Sequence, residues 1–297
     1  MIFYKTLQIQ LSRKNAVLKL QGINYRIQMK EINKVYISIA KLLNFYINLN
    51  SDKKKFSKQS SDTDINKIPY IIGIVGSVAV GKSTTAHLLQ RLLSSGPEHY
   101  KVELITTDSF LYPNKTLKDR GIMHQKGFPQ SYDMQNFLKF ISAIKSGIEK
   151  VTAPIYSHFV YDIIPNKKKI IHQPDVLILE GLNILQNDID CKHTSHHLLV
   201  SDFIDFLIYL DAPENLLRNW YIQRFLKFCQ KAFSNSKSYF YHYSKLNKKD
   251  LIKIAQAIWE EINKINLEKN IIPTKDRAKL IITKSNNHSI TKIELKQ

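Results

Sequence analysis

The residue pattern predicts an α/β fold with a mainly parallel central sheet flanked by helices on both faces. Short apolar segments, typical of strands buried on both faces, alternate with longer segments whose apolar residues recur at helical spacing. Such alternation is typical of βαβ units. A second observation agrees with this. The apolar segment 70–75 runs directly into a glycine-rich loop and then into a helix that ends near Gly96 and Pro97.

Three regions are predicted along the chain of 297 residues. Residues 1–50 are expected to be mainly helical and to pack on the rest, and their clearest helix covers 31–48, where apolar side chains have helical spacing. Residues 51–68 are polar and charged, as in a linker. Residues 69–297 are expected to form the α/β core, including the helices that bind the substrate.

The glycine-rich loop has the pattern G-x-x-x-x-G-K-[ST], which is typical of a phosphate-binding loop. Its backbone N–H groups and the N-terminus of the next helix are expected to bind phosphate. Lys82 is expected to reach the β- and γ-phosphates, and Ser83 to ligate Mg²⁺. The sequence thus predicts a nucleoside triphosphate site. The predicted nucleotide-binding residues of the loop are Gly76, Ser77, Val78, Ala79, Val80, Gly81, Lys82, Ser83 and Thr84.

Further elements follow in alternation. The other predicted strands cover 102–106, 175–179, 206–210 and 280–283. The other predicted helices cover 134–146, 215–228 and 251–270. The stretch 111–132 contains Gly and Pro and is predicted to be a long loop of functional importance. The stretch 151–162, rich in polar aromatic residues, is predicted to be a loop or strand end that faces a ligand.

Two acidic residues end predicted strands, where α/β folds bind ligands. Asp108 suits a base that accepts the proton of an acceptor hydroxyl group. Glu180 suits Mg²⁺, held directly or through water, although its position alone is equally compatible with a surface acid. Arg224, in a predicted helix, suits neutralisation of the transferred phosphoryl group. The motif pairs of guanine-nucleotide switches and of protein kinases are lacking, which favours a small-molecule kinase.

Composition limits the partners. The formal net charge of +19 would suit nucleic acid, but the lysines are spread over the whole chain together with abundant Ile, Asn, Tyr and Phe. We therefore expect no nucleic-acid partner, and a nucleic-acid-binding NTPase remains the alternative of another class. Cys191 and Cys229 form no metal or redox motif, and no apolar run approaches the roughly 20 residues of a membrane span. A cytoplasmic protein without a membrane partner is expected.

Seven stretches of the sequence are informative together: GSVAVGKSTTA, VELITTDSFLYPN, RGIMHQKGFPQSYD, VTAPIYSHFVYD, QPDVLILEGLNILQ, SDFIDFLIYLDAPE and WYIQRFLKF. They resemble the bacterial type I pantothenate kinases, which are P-loop kinases of the phosphoribulokinase and uridine kinase-like superfamily. The resemblance extends from about Gly22 to the C-terminus. A uridine kinase-like or phosphoribulokinase-like enzyme, with a nucleoside or sugar-phosphate acceptor, remains the alternative.

The resemblance implies ATP-dependent phosphorylation of pantothenate, the first step of coenzyme A biosynthesis. It also implies a homodimer and feedback inhibition by coenzyme A. Catalytic positions match Lys82, Asp108 and Arg224, and positions near the metal match Ser83 and Glu180. Residues matching positions around pantothenate are Tyr156, His158, Tyr161, Tyr221 and Asn263.

The resemblance assigns further positions to the nucleotide and to coenzyme A. Asn24 and His288 match residues near the adenine. His87 stands where the family commonly has an arginine. Four aromatic residues match the lining of the pantothenate arm and of the thiol end of coenzyme A, although the sequence alone would place them in the core. They are Phe225, Phe228, Phe240 and Tyr243.

Overall fold

The computed structural model describes residues 4–6, 35–58, 68–185, 199–232 and 235–296. Asn24 and Cys191 lie outside these ranges, as do most of residues 1–34 and part of the predicted linker. The strands within the described ranges are β1 (Tyr4–Thr6), β2 (Tyr70–Gly76), β3 (Val102–Thr106), β4 (Lys150–Ser157), β5 (Asp162–His172), β6 (Val176–Gly181), β7 (Phe206–Asp211), β8 (Leu280–Lys284) and β9 (Ile290–Lys296).

Seven of the nine described strands form a central sheet in the order β1-β9-β8-β7-β2-β6-β3, and β4 and β5 form a separate pair. Strands β3, β6, β2, β7 and β8 are parallel, whereas β9 and β1 are antiparallel additions at one edge. Every residue of β2 and β6 is buried, as expected for strands that are covered on both faces. The predicted fold class is confirmed, because the five predicted strands are the five parallel ones.

Helices cover this sheet. Within the described ranges they are α1 (Ile37–Lys58), α2 (Lys82–Ser94), α3 (Asn114–Asp119), α4 (Met134–Lys145), α5 (Glu214–Ala232), α6 (Tyr241–Ser244), α7 (Lys248–Ile258) and α8 (Lys264–Asn266). Helix α4 shows why such segments are helical. The Asp133 side chain accepts a hydrogen bond from the Asn136 N–H group and caps the helix, and Phe137, Ile141 and Ile144 are buried along one face.

Several elements differ from the expectations. Helix α1 continues to Lys58, into the segment predicted as a linker. The predicted helix 251–270 is interrupted by π-helical turns at Trp259–Asn263 and Leu267–Ile271. The predicted loop 111–132 contains α3. Strands β4 and β5 form an antiparallel hairpin, so the stretch predicted as a loop or strand end is largely regular strand.

Two apolar clusters form the interior. The larger surrounds the central sheet, and the smaller lies between α5, α6 and α7 around Phe225, Cys229 and Phe240. The smaller cluster includes or contacts several aromatic residues that were expected near an acceptor or coenzyme A, namely Tyr221, Phe225, Phe228, Phe240 and Tyr243. Within the described part of the chain, no helix combines the length and the apolar character needed to cross a membrane.

Candidate active site

A cavity of about 510 Å³ lies at the carboxyl ends of the parallel strands, between the glycine-rich loop and the smaller apolar cluster. Both kinds of predicted residue meet there, those for phosphate and those for an acceptor. The sequence-predicted residues in its lining are Val78, Lys82, Ser83, Asp108, Tyr156, His158, Tyr161, Glu180, Tyr221, Arg224, Phe225, Phe228, Phe240, Tyr243 and Asn263.

The glycine-rich loop follows β2 with a backbone that only glycine fits at one point. Gly76 has φ +145°, and a Cβ atom there would lie 2.4 Å from the carbonyl oxygen of Leu210. Gly81, with φ +97°, ends the loop at the first turn of α2. The hydroxyl oxygen of Ser77 is buried and has no hydrogen-bond partner among the described residues. A buried polar atom without a partner fits a site whose ligand completes it.

Lys82 begins α2 and turns back over the loop. Its Nζ donates a hydrogen bond to the carbonyl oxygen of Ser77 at 2.8 Å. Burial, together with the nearby Arg224, lowers the pKa of Lys82 to about 8, against the raising effect of the Glu180 and Asp108 carboxylates. The ammonium form therefore predominates at neutral pH and is available to an anion.

Ser83 and Glu180 form the part of the site that fits Mg²⁺. The Ser83 hydroxyl donates to Glu180 Oε1 at 3.0 Å. Burial raises the pKa of Glu180, while Lys82 and the hydrogen bond from Ser83 lower it. The described residues contain no cluster of three or more His, Cys, Asp or Glu side chains with metal-binding geometry. One carboxylate and one hydroxyl nevertheless suit Mg²⁺, which usually takes few protein ligands beside substrate phosphates and water.

Asp108 lies in the short 3₁₀ turn after β3. It stands at the border between two sides of the cavity: the phosphate wall, formed by the phosphate loop, and the acceptor wall, formed by the residues expected around an acceptor. The hydroxyl of Tyr132, a residue that the sequence analysis did not single out, donates to Asp108 Oδ1 at 3.4 Å. Burial raises the pKa of Tyr132, so its hydroxyl stays protonated and acts as a donor. This long contact places a donor beside the carboxylate.

Gly181 sets how closely the two acidic residues approach. A Cβ atom at Gly181 would lie only 1.7 Å from the Thr107 hydroxyl oxygen. Thr107 directly precedes Asp108, and Gly181 directly follows Glu180. The absence of a side chain at this position therefore lets the ends of β3 and β6 bring both carboxylates into one cavity.

The tip of the β4–β5 hairpin supplies much of the acceptor wall. It carries Tyr156, His158 and Tyr161. Tyr161 has φ +55°, a conformation that is rare for a bulky residue and needs support from its surroundings. Its carbonyl oxygen accepts hydrogen bonds from Lys126 Nζ at 2.6 Å and from Asn114 Nδ2 at 3.0 Å. The tip is therefore held by the loop that crosses it.

Lys126 is a cavity residue that the sequence analysis missed. Its Nζ lies 4.2 Å from the centre of the Tyr161 ring and 5.1 Å from that of Tyr156. Burial lowers its pKa to about 8, against the raising effect of Asp162 and Asp108.

The adjacent Gly127 carbonyl accepts hydrogen bonds from two buried amides, of Asn183 at 2.8 Å and Asn266 at 2.9 Å. These bonds fix the position of the loop. Lys126 lies in the stretch RGIMHQKGFPQSYD, which resembles the family, and in the loop predicted as functional, but neither observation assigned it a role.

Polar groups on the helices complete the acceptor wall. Tyr221 and Asn263 both line the cavity; burial raises the pKa of Tyr221 to about 12, against the lowering effect of the nearby Asn263 amide. Asn263 ends the π-helical turn Trp259–Asn263, which directs this part of the helix to the cavity.

Burial lowers the pKa of His158, and Arg224 and Lys126 lower it further, although Asp108 opposes them. The imidazole is therefore neutral at pH 7.

His288 lies apart from the cavity lining. Its ring stacks on Trp220 with a centroid separation of 3.8 Å. Burial lowers its pKa to about 4, with contributions from Lys284 and Lys227. Since Asn24 lies outside the described residues, the expectation that Asn24 and His288 lie near an adenine stays a prediction. His87 is exposed on α2.

The arrangement has counterparts in known proteins. Residues 71–227 match the sequence model of the Phosphoribulokinase / Uridine kinase family. The putative fructose transport system kinase from Silicibacter sp. TM1040 has a similar fold, with a TM-score of 0.58 and 19% sequence identity, and the match covers 79% of this chain and 92% of that chain. The fold and the phosphate loop together define a P-loop kinase.

Closer relatives narrow this class. The chain is 57% identical over 281 residues to the pantothenate kinase of Yersinia enterocolitica serotype O:8 / biotype 1B (strain NCTC 13174 / 8081), covering 95% of this chain and 89% of the relative. The identity and both coverages are the same for the pantothenate kinase of Serratia proteamaculans (strain 568). The chain belongs to the pantothenate kinase family.

Proposed function

We propose that the protein transfers the γ-phosphoryl group of ATP to the primary hydroxyl of pantothenate, the first step of coenzyme A biosynthesis. One observation carries the proposal. One cavity is lined by the phosphate loop, by the carboxylates of Glu180 and Asp108, and by a wall of polar aromatic side chains. Its volume of about 510 Å³ suits a small-molecule acceptor rather than a protein or nucleic acid. The pantothenate kinase relatives support the choice of acceptor.

Asp108 is the proposed base. Its carboxylate accepts the proton of the pantothenate hydroxyl as the oxygen forms a bond to the γ-phosphorus, and the bond from that phosphorus to the β,γ-bridging oxygen breaks to release ADP. Lys82 and Arg224 neutralise the charge on the transferred group. Bound Mg²⁺, held by Ser83 and Glu180, would neutralise the β- and γ-phosphates. The remaining residues of the loop, from Gly76 to Thr84, bind the phosphates through their backbone.

The acceptor wall orients pantothenate. Tyr156, Tyr161, Tyr221 and Asn263 offer hydroxyl and amide groups to its own amide and hydroxyl groups, and neutral His158 can donate or accept a hydrogen bond. Lys126 supplies the positive charge on this side of the cavity, which favours an acidic acceptor such as pantothenate. A neutral nucleoside would bring no anionic group to this charge.

Regulation and assembly extend the proposal. We infer that coenzyme A inhibits the enzyme and that its thiol end lies among the aromatic side chains of α5 and α6, beyond the acceptor wall. Phe225 and Phe240 pack edge to face at 5.9 Å there, and both line the cavity. Asn24 and His288 are proposed to lie near the adenine. The homodimer and the cytoplasmic location remain predictions.

Measuring ADP release with different acceptors tests the function. Pantothenate should stimulate ADP release strongly, whereas uridine, ribulose 5-phosphate and buffer alone should not. Phosphorus NMR should show a new phosphomonoester on the primary hydroxyl. Preference for uridine or ribulose 5-phosphate would favour the alternative kinase classes. Hydrolysis stimulated by DNA or RNA, with a steep dependence on salt, would favour a nucleic-acid-dependent NTPase.

A further inference from the structure

Lys284 is a lysine buried beneath the phosphate loop. It is the last residue of β8, and only 3% of its surface is exposed, which is unusual for lysine. Its Nζ donates a hydrogen bond to the carbonyl oxygen of Val80 at 3.0 Å. The ammonium also packs against Gly81, where a Cβ atom would lie 2.9 Å from Nζ. It therefore occupies space that a side chain at position 81 would need.

We propose that Lys284 is a second lysine of the nucleotide site, which positions the phosphate loop from below and adds positive charge beneath the bound phosphates. The proposal rests on the proposed function only in that the loop binds ATP and ADP. It extends the site to a strand far along the chain from the loop motif. It also gives a role to a buried cation that the transfer mechanism does not use.

The geometry of one peptide unit supports the positioning role. The Val80 carbonyl and the Gly81 N–H group belong to the same planar trans peptide, so they point in opposite directions. When Lys284 binds the carbonyl, the N–H group is fixed on the far side of the loop, away from β8. Lys82 likewise binds the carbonyl of Ser77. Two ammonium groups thus hold two loop carbonyls, whose oxygens would repel phosphate if they turned towards it.

Lys284 is also proposed to act through its positive charge. A buried ammonium is screened less by water and salt than a surface one, so its field acts more strongly on a neighbouring anion. The loop lies between this ammonium and the phosphate-binding side. Removing the charge should therefore weaken binding of nucleotides with several phosphates and leave binding of adenosine nearly unchanged.

The experiment compares three variants by calorimetric titration with ADP, ATP and adenosine, in the absence of any acceptor. Lys284→Met removes both the charge and the donor, whereas Lys284→Gln keeps a donor without the charge. Lys292→Met is the matched control, because Lys292 is exposed and pairs with Thr283, the neighbour of Lys284, on the adjacent strand. We expect ADP and ATP affinity to fall about tenfold or more in Lys284→Met, by less in Lys284→Gln, and by under twofold in Lys292→Met.

Two results would overturn the proposal. One is an ADP affinity within twofold of wild type in either folded Lys284 variant. The other is an equal loss of affinity for ADP and adenosine, which indicates general damage to the site. If Lys284→Met does not fold, as judged by circular dichroism and thermal melting, Lys284→Gln carries the test with the same criteria. Because no acceptor is present, the result is independent of whether pantothenate is the substrate.

Discussion

The phosphate wall and the acceptor wall of the cavity are built in different ways. Most of the phosphate wall is one continuous segment, 76–83, and the carboxylates beside it end neighbouring parallel strands. The acceptor wall joins a hairpin tip, a loop and two helical regions that are far apart in the sequence. Phosphate chemistry is thus encoded locally, whereas the choice of acceptor depends on tertiary packing. Substitutions should separate the two walls kinetically.

The largest effect is expected at the border between the walls. Asp108→Asn should lower kcat by about 10²- to 10⁴-fold, because the proton of the acceptor hydroxyl loses its base. ATP affinity should remain nearly unchanged, since the phosphate wall is intact. Steady-state kinetics and nucleotide titration check both expectations. Asp119→Asn, at an exposed position in α3, is the control, and retention of more than about a tenth of the wild-type kcat would exclude Asp108 as the base.

Lys82→Met should weaken ATP binding and also slow turnover, because Lys82 belongs to the phosphate wall. We expect kcat/KM for ATP to fall by about 10²- to 10³-fold, with weaker ATP binding, because the ammonium contacts bound and transferring phosphate. The wild type should show a matching pH dependence. Since the pKa of Lys82 in the free enzyme is about 8, kcat/KM for ATP should be high below pH 8 and fall as the pH rises through it. Wild-type turnover of Lys82→Met at saturating ATP would contradict this role.

On the acceptor wall, Asn263→Ala and Tyr221→Phe should raise the pantothenate KM and leave the ATP KM within about twofold. The loss of one hydrogen bond to a buried polar group costs roughly 1–3 kcal/mol, which corresponds to about 5- to 150-fold in KM. Glu261→Ala is the control, because Glu261 lies in the same π-helical turn but is exposed. Equal changes in both KM values would mean that the two residues support the fold rather than the substrate.

The smallest effect is expected at His87, on the exposed face of α2. Arginine stays protonated at physiological pH, whereas histidine is only a weak cation near neutrality. His87→Arg should therefore tighten inhibition by coenzyme A several-fold without changing kcat. The inhibition constant should be measured at pH 6 and pH 8 in wild type, His87→Arg and His87→Gln. Identical profiles in all three would leave His87 as an ordinary surface residue.

The sequence predicted the phosphate wall well because its determinants are local. Gly76, Gly81, Lys82 and Ser83 stand at fixed spacing, and the loop needs this spacing to turn around a phosphate. The five parallel strands were also predictable, because burial makes strands such as β2 and β6 continuous apolar runs, and β3, although only partly buried, is still mainly apolar. Strand β9 was missed since its residues, at the antiparallel edge, are mostly polar or half-buried.

The residues alone indicated that 111–132 and 151–162 have a functional role, but the roles of individual acceptor-wall residues came from the family resemblance. Lys126 and Tyr132 lie in a long segment with Gly and Pro, where no periodicity shows which side chains turn inward. The hairpin β4–β5 was missed because its register shifts between Pro154 and Tyr156, which breaks the alternation typical of strands. The π-helical turn that ends at Asn263 depends on packing and leaves no spacing pattern that distinguishes it from an α-helix.

The close contact between Gly181 and Thr107 has a genetic consequence. Neither residue is proposed to take part in the chemistry. A methyl group at position 181 would nevertheless overlap the Thr107 hydroxyl oxygen, because a Cβ atom there would lie 1.7 Å from it. A missense allele encoding Gly181→Ala should therefore be as inactive as one at Asp108, and complementation would report both alike. Only the Gly181→Ala allele should yield second-site revertants. These should carry Thr107→Gly, because glycine at codon 107 restores the space. The pattern of reversion would thus distinguish a residue that takes part in the reaction from one that only leaves space for it.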